Sequence, residues 1–400
     1  MKKLTPLADA LDHILERAQP MDVVESVRLQ EALGRVLAAP VTSDIAVPGE
    51  DNSAMDGYAL RAKDAGQALA VSQRIAAGAV PEPLTPGTAA RIFTGATVPE
   101  GADAVAMQED CVLNEGVITI TADVREGQHI RRAGQDIQAG EQLLAPGRRL
   151  RPQDLGMLAS VGVATVRVYR PLRVAILSTG DELLEPGQPL SPGKLYNSNR
   201  YTLQGLLQGL GMEVIDGGIV DDDAAGTREA LSRAAASADV VITSGGVSVG
   251  EEDHVKDAVR SLGELGLWKL AIKPGKPLAF GHVQGTPFIG LPGNPSSVFV
   301  TFCLIARPYL LKRQGCAEIE PPSVRARADF SITRVGTRQE YLRAILSIDG
   351  EVMRVSVGEN QSSGVLSAVS RSNVLAVIPP GMTVSPGDTV EVFLLDLLSG

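Results

Sequence analysis

The chain has 400 residues, with 37 lysines and arginines against 47 aspartates and glutamates, for a net charge of −10. Apolar residues make up 44% and charged residues 21%, the balance of a globular protein with chain enough for several domains. The acidic excess argues against a nucleic-acid or anionic-membrane binder. Three cysteines without a CxxC and four histidines without an HExxH argue against a disulfide scaffold or a zinc site.

In chain order, MKKLTPLADALDHILERA carries Asp, His, Glu and Arg inside an apolar period. It predicts an amphipathic helix rather than a signal peptide, with Thr5 as cap and Pro6 at the first helical position. No apolar run approaches the about 20 residues of a membrane span, and a reducing cytoplasm is expected. A second helix is predicted at EALGRVLAA, ending before Pro40. From Ile45 to about Leu150, short runs (ALAVSQRIAAG, TAARIF, ADAVAMQED, GVITITADV) alternate with Gly/Pro turns and predict a β-rich module. RPQDLGMLASVG then predicts a helix that returns to the N-terminal helices.

From Leu172, the runs RVAILSTG, EVIDGGIV, ADVVITSGG and LWKLAIKPG alternate with helical stretches. Near-continuous apolar strands between amphipathic helices predict a doubly wound α/β domain whose parallel sheet is covered on both faces. PLAFGHVQGTPFIGLPG predicts a hairpin, and NPSSVFVTFCLIARPYLLKRQG a long closing helix. After a Pro-containing junction, VRARADFSI, YLRAILSI, VMRVSV and TVEVFLL predict a small barrel or sandwich.

In an open α/β sheet the ligand site lies at the carboxyl ends of the strands, where every suggestive loop of this chain falls. In ITSGGVSVGEEDHV, Ser244, Gly245 and Gly246 allow backbone N–H groups to approach an oxyanion, and Asp253 offers a carboxylate to magnesium. A tight βα turn with an N-capping acid is the alternative. LSTGDEL offers Thr179, Asp181 and Glu182, though STGDE would also cap a helix. KLAIKPGKPLAF carries Lys269, Lys273 and Lys276 on a Pro-stiffened loop, either phosphate partners or solvated lysines. GLPGNPSS places Pro292 and Pro295 around a rigid turn, where Ser296 would cap the helix or bind a ligand. Upstream, DNSAMDGYA offers Asp56, FTGATVPEGADAV offers Thr94, and RRAGQDI offers Asp136. Such dense polar turns are equally explained as Asx-turns. Asp221–Asp223 open a helix, where acids suit its dipole. No Ser–His–Asp set can be assembled and GxSxG is absent. Oxygens, lysines and glycines without a protein nucleophile suit metal-assisted chemistry on a phosphate ester or anhydride.

The seven motifs DNSAMDGYA, FTGATVPEGADAV, RRAGQDI, LSTGDEL, ITSGGVSVGEEDHV, KLAIKPGKPLAFG and GLPGNPSS, in this order, resemble the MoeA family of molybdopterin molybdenumtransferases, which includes the E domain of gephyrin. The resemblance spans essentially the whole chain. It implies four domains: a helical N-terminal and linker domain (1–44 plus 148–170), a β-rich second domain (45–147), a central α/β molybdopterin-binding domain (171–318) and a C-terminal β-barrel (319–400). It implies a cytoplasmic homodimer that uses molybdate and adenylylated molybdopterin as substrates, requires Mg2+, yields Mo-molybdopterin and releases AMP. Molybdopterin adenylyltransferase and molybdoenzyme partners are implied, and neither nucleic acid nor membrane.

Carried over by position, Asp56, Thr94, Asp136, Glu182, Asp222 and Asp253 would be catalytic, with Glu182 and Asp253 on the metal. Thr179, Asp181, Ser244, Gly245, Gly246, Lys269, Lys273, Lys276, Pro292 and Pro295 would bind substrate, and Arg343 and Ser363 would form a molybdate pair. Asp56, Thr94 and Asp136 would come from the partner subunit. The chain departs from the family pattern at Glu50, Gln135 and Asn197, the last standing where an aspartate is usual. Two other functions share parts of this pattern: a molybdopterin adenylyltransferase, which carries a similar SGG loop, and a gephyrin-like scaffold.

Overall fold

The computed structural model describes residues 4–220, 223–247 and 254–398. Its central feature is a six-stranded sheet in the order 213–220, 173–179, 240–244, 286–291, 277–283, 263–269. The first four strands are parallel, while Thr286–Leu291, Pro277–Val283 and Gly263–Lys269 are joined antiparallel. The LWK run, read as one more strand of the alternation, is thus the antiparallel edge. Helices α3 (Ser198–Gly209), α4 (Ala224–Ser237) and α5 (His254–Leu262) form where the apolar period predicts them. Residues of alternating direction on the sheet fill two cores. Ala175, Val241 and Phe288 pack with Leu231 and Val259 of α4 and α5 on one face. Val174, Ile242 and Ile289 pack with Leu203 and Leu207 of α3 on the other.

The closing helix runs from α6 (Pro295–Thr301) through a wide π-type turn at Phe302–Ala306 into Arg307–Arg313. Pro308 accounts for the wide turn, because it has no N–H to donate and its ring crowds the preceding turn. The last module is a closed barrel of five strands, in the cyclic order 339–349, 352–357, 323–328, 389–394, 374–378. Its fifth strand, Val374–Ile378, is buried at every position, so it lacks the alternation by which the other four were recognised.

The N-terminal region departs from its expected helical character. EALGRVLAA forms no helix: a 3-10 turn, Leu29–Glu31, ends at its first residue. Gly34 sits at φ +74°, which interrupts a helix, and the following Val36 and Leu37 bridge to Arg149 and Val168. Val24–Arg28 pairs with Thr165–Tyr169 in a ribbon that no motif announced. Helix α1 (Leu7–Leu15) forms, but its cap position is Pro6 without a side-chain bond. Thr5 does not cap it: its N–H donates to Lys269 O and its carbonyl accepts from Ala271. Ala10 and Ile14 of α1 are buried in the same core as the α/β sheet. Helix α2 (Pro152–Ser160) packs Leu158 with Ala32, Leu37 and Val166 rather than on α1.

Between Asn52 and Ile120 lies the β-rich module, a six-stranded sheet ordered 104–107, 57–60, 88–92, 69–75, 117–120, 111–114. It carries a small core on each face.

Candidate active site

Three loops leave the carboxyl edge of the parallel strands, after Thr179, Ser244 and Leu291. A fourth, around Lys273–Lys276, is held against the barrel: Ile272 and Lys273 run parallel to Gln339 and Glu340. Together with barrel loop 361–364 they enclose a cavity of about 1000 Å³. Thr179, Glu182, Gly245, Gly246, Lys273, Lys276, Pro292, Pro295 and Ser363 all line it. Eight residues picked from four separate motifs, with Ser363 of the last module, thus meet in one place.

The floor is polar and dry. Ser178, Ser244 and Asn197 are 2%, 2% and 1% exposed. Ser178 Oγ donates to Asn197 Oδ1 at 3.3 Å and stands 3.4 Å from Ser244 Oγ. Ser244 therefore lies beneath the cavity rather than in its lining. Thr179 Oγ1 is buried without a hydrogen-bond partner. Gly246, at φ +63°, lets the loop pass where a Cβ would lie 2.4 Å from Val255 Cγ2 and 2.9 Å from Thr179 Oγ1. Asn199 also lines the cavity; its Nδ2 donates to Gly293 O at 2.8 Å, leaving Oδ1 buried and unpaired.

The cations are differently held. Lys273 Nζ pairs with Glu340 at 3.1 Å, across the joint between α/β domain and barrel. Lys276 is exposed at the cavity. Arg338 donates one N–H to Ile272 O at 3.1 Å and also lines the cavity, a residue that motif reading missed. It stands in a bend just before the barrel strand Gln339–Asp349, outside every motif quoted above. Arg343 is the one turned inward. It is 2% exposed, and its guanidinium donates to Tyr341 O at 3.0 Å and Ser362 O at 3.4 Å. Burial lowers its pKa, an effect that Glu340 nearby opposes. Arg343 stands behind the Ser362–Ser363 loop instead of in the cavity wall.

The loop itself is sewn to α6. Asn294 Nδ2 donates to Ser363 Oγ at 3.0 Å, Ser296 N–H to Ser363 O at 3.0 Å, and Ser296 Oγ to Val365 O at 2.7 Å. Ser296 therefore neither caps α6 nor opens to the cavity; it ties the barrel to the helix start.

Asp181 is exposed outside the lining, and its carbonyl accepts from Lys194 Nζ. Lys269 sits at the end of the edge strand, also outside it. Asp222 and Asp253 lie outside the described residues. Asp223, next to the first, caps α4 by accepting from Ala225 and Gly226 N–H at 2.9 and 2.8 Å.

Asp56, Thr94 and Asp136 do not line this cavity within one chain: Asp56 and Thr94 meet on the β-rich module, and Asp136 lies on the segment that follows it. Asn52–Ser53 pairs with Ile130–Arg131, and Ser53 exchanges backbone bonds with Gly95 and Ala96. Asp56 Oδ1 accepts from both Thr94 N–H and Thr94 Oγ1 at 2.8 Å, which holds its carboxyl below the usual range. Asp136 is exposed, with its N–H on Val47 O at 3.0 Å.

Among the described residues, Glu182 is the single carboxylate lining the cavity, and no group of three His, Cys, Asp or Glu gathers as a metal cage. No helix among them is long and apolar enough to cross a membrane.

Comparison with known proteins covers nearly the whole chain. Residues 5–162 match the MoeA N-terminal region (domain I and II), 175–312 a probable molybdopterin binding domain, and 325–395 the MoeA C-terminal region (domain IV). A molybdopterin molybdenumtransferase of Haemophilus influenzae is 43% identical over 394 residues, 96% of this chain and 97% of that protein. One from Nostoc is 39% identical, covering 99% and 94%. The crystal structure of the molybdopterin biosynthesis moeA protein of Pyrococcus horikoshii superposes with a TM-score of 0.84 at 32% identity, over 98% of this chain and 100% of that one.

Proposed function

The chain belongs to the MoeA family and is an enzyme that inserts molybdenum in molybdenum cofactor biosynthesis, and from that premise we propose how its cavity does so. The cavity takes the phosphate-bearing tail of adenylylated molybdopterin, molybdate enters beside it, and AMP leaves. The observation that carries this reading is the lining itself. In a chain of net charge −10, Lys273, Lys276 and Arg338 converge on one cavity with a single described carboxylate. Lysines act on phosphate as point charges, and arginine as a planar donor fork.

Magnesium suits the donor set. It is held by one or two carboxylates plus substrate phosphate oxygens, and Glu182 with the unpaired Thr179 hydroxyl offers oxygens in this cavity. Asp253 would add a second carboxylate. When bound, the ion offsets negative charge on the phosphates. The chain's own residues orient the tail: Gly245 and Gly246 allow close backbone approach, and Pro292 and Pro295 stiffen the turn that carries Asn294. Molybdate, a tetrahedral oxyanion, fits at Ser363, with the Arg343 guanidinium behind the loop raising the local potential. The dithiolene sulfurs that receive molybdenum belong to the substrate, so a chain without a thiolate cluster suffices.

A homodimer completes the site. The Asp56, Thr94 and Asp136 surface of one copy closes the cavity of the other, since within one chain the two do not meet. The test is turnover of adenylylated molybdopterin with molybdate, with and without magnesium, following AMP by chromatography. Glu182→Ala abolishes AMP release while the melting temperature holds; undiminished release refutes the assignment. Co-expressed Asp56→Ala and Lys276→Ala chains regain about a quarter of wild-type activity, because random pairing makes half the dimers hybrids with one intact site each. No recovery refutes the shared site.

A further inference from the structure

Asn197 carries a donor that the fold does not use. It is 1% exposed and lines the cavity. Its Oδ1 accepts from Arg200 N–H at 3.3 Å, the capping bond of α3, and from Ser178 Oγ at 3.3 Å. The Arg200 N–H can only donate, which fixes the amide's orientation. Nδ2 is thereby turned away from the helix, and it is buried with no partner. Thr179, 8% exposed and in the same lining, has its hydroxyl in the same condition.

Capping does not explain the amide. Aspartate caps a helix start as well as asparagine and would leave no orphan donor. It would instead aim a second acceptor oxygen at the cavity, the choice usual in the family pattern and one that needs a bridging cation beside any anion lying there. An unsatisfied buried donor is costly to keep, so its persistence at a ligand cavity points to a partner that arrives with the ligand.

We propose that Asn197 is a specificity-determining residue: its Nδ2–H, together with the Thr179 hydroxyl, forms a neutral donor pair for a phosphate-type oxygen of the bound substrate. This rests on the phosphate reading of the cavity given above. The division of labour is physical. Lys273, Lys276 and Arg338 attract any anion, while short-range donors on a rigid, buried floor select where an oxygen sits.

The experiment is calorimetric titration of the full-length protein with AMP, comparing wild type, Asn197→Ser and Asn197→Asp, with melting temperatures of each. Serine keeps a capping oxygen but not the reach of the amide donor; aspartate keeps cap and shape but reverses the polarity. Affinity falls about tenfold in N197S, the loss of one hydrogen bond. In N197D it falls about a hundredfold, because a charge is added against the anion. Wild-type affinity in N197S overturns the proposal even if N197D binds poorly, since charge alone then explains the second result. Should N197S unfold, Thr179→Val tests the other donor: an about tenfold loss supports the pair, and unchanged binding overturns it. Failure of the wild type itself to bind AMP sinks the phosphate reading and this proposal with it. AMP binding by the wild type with no change in the variants sinks the proposal alone.

Discussion

Gly246 and Gly162 form a matched pair that separates backbone strain from crowding at the site. Gly246 lies at φ +63° and Gly162 at φ +78°, so alanine at either adopts a left-handed conformation costing about 1–2 kcal/mol. The stabilisation from a stiffer unfolded chain, about 0.4–1 kcal/mol, is common to both and drops out of the difference. At Gly162, just past α2, a Cβ meets nothing within 4 Å. At Gly246 it would stand 2.4 Å from Val255 Cγ2 and 2.9 Å from Thr179 Oγ1. Val255 cannot yield freely: it is 2% exposed and packed in the core that α4 and α5 share with the sheet. Overpacking of this kind costs about 1–3 kcal/mol, so Gly246→Ala is less stable than Gly162→Ala by that amount in urea unfolding. The functional contrast is larger. Relief of the clash moves Thr179, in the cavity lining, or shifts the Gly246 loop off Val255, and misplacement of positioning groups by an ångström costs about a hundredfold in rate. Molybdenum insertion assayed well below the melting temperature therefore collapses in G246A and persists in G162A. Equal destabilisation of the two, or a fully active G246A, would refute the claim that the close approach of this loop to Thr179 builds the site.

Lys276 is exposed and, among the described residues, only its backbone carbonyl is bonded, to Leu270 N–H, so Lys276→Ala lowers AMP affinity at least about tenfold, more at low salt, while the melting temperature stays put. A matching fall in melting temperature would argue for a structural lysine instead. Arg343→Met removes a buried charge and also two bonds to backbone carbonyls. The terms oppose, and urea stability stays within about 1–2 kcal/mol of wild type while molybdate binding weakens. A loss above about 3 kcal/mol would make the guanidinium structural. Asp154 opens α2, where burial alone would raise its pKa but bonds from Arg151 and Arg148 outweigh it and lower the pKa below 3.8. A carboxyl with a depressed folded pKa stabilises above its unfolded value and loses that contribution as pH falls through the folded one. Asp154→Asn thus costs about 1–3 kcal/mol at neutral pH and flattens the acid limb below pH about 4. An unchanged acid limb in urea titrations would show that Asp154 is not the group responsible.

Much of the fold was legible because periodicity reports burial. α3, α4, α5 and the strands that end in STG, SGG and LPG stand where the apolar pattern put them. The misreadings have local causes. EALGRVLAA has good helix formers, yet Gly34 at positive φ, the pairing of Val36 with Arg149 and the burial of Leu37 against Leu150 and Val168 draw it into extended bridges. Val374–Ile378 is apolar throughout and carries no alternation to mark it as a barrel strand. Motifs located most of the cavity, because loops at strand ends need not be near in sequence to be near in space. They passed over Arg338, which lies in a bend outside any motif, and gave no sign that Arg343 is buried behind the loop. Asn197 appeared only as a departure from pattern; its meaning depends on which half of the amide the helix consumes.

An acidic chain that binds anions has to build its positive field locally, and the structure shows how the joint between domains does this. The lysine loop does not float from the α/β sheet. Ile272 and Lys273 pair in parallel alongside a barrel strand, and Lys273 is braced by Glu340 from that same strand. On the other side, Asn294 and Ser296 bind the barrel loop at Ser363 and Val365. Arg338 and Ser363 thus reach the cavity only because the barrel is fastened on both sides of it. The barrel is therefore a wall of the active site, and removing it would leave Lys276 and the SGG loop in place but open the anion site to water. At a solvent-exposed site, charge attraction falls several-fold through the higher dielectric. Loosening one fastening, as in Ser296→Ala, lowers AMP and molybdate affinity together although Ser296 touches neither, and a calorimetric titration in which only one ligand weakens would show that the two anions do not share this wall.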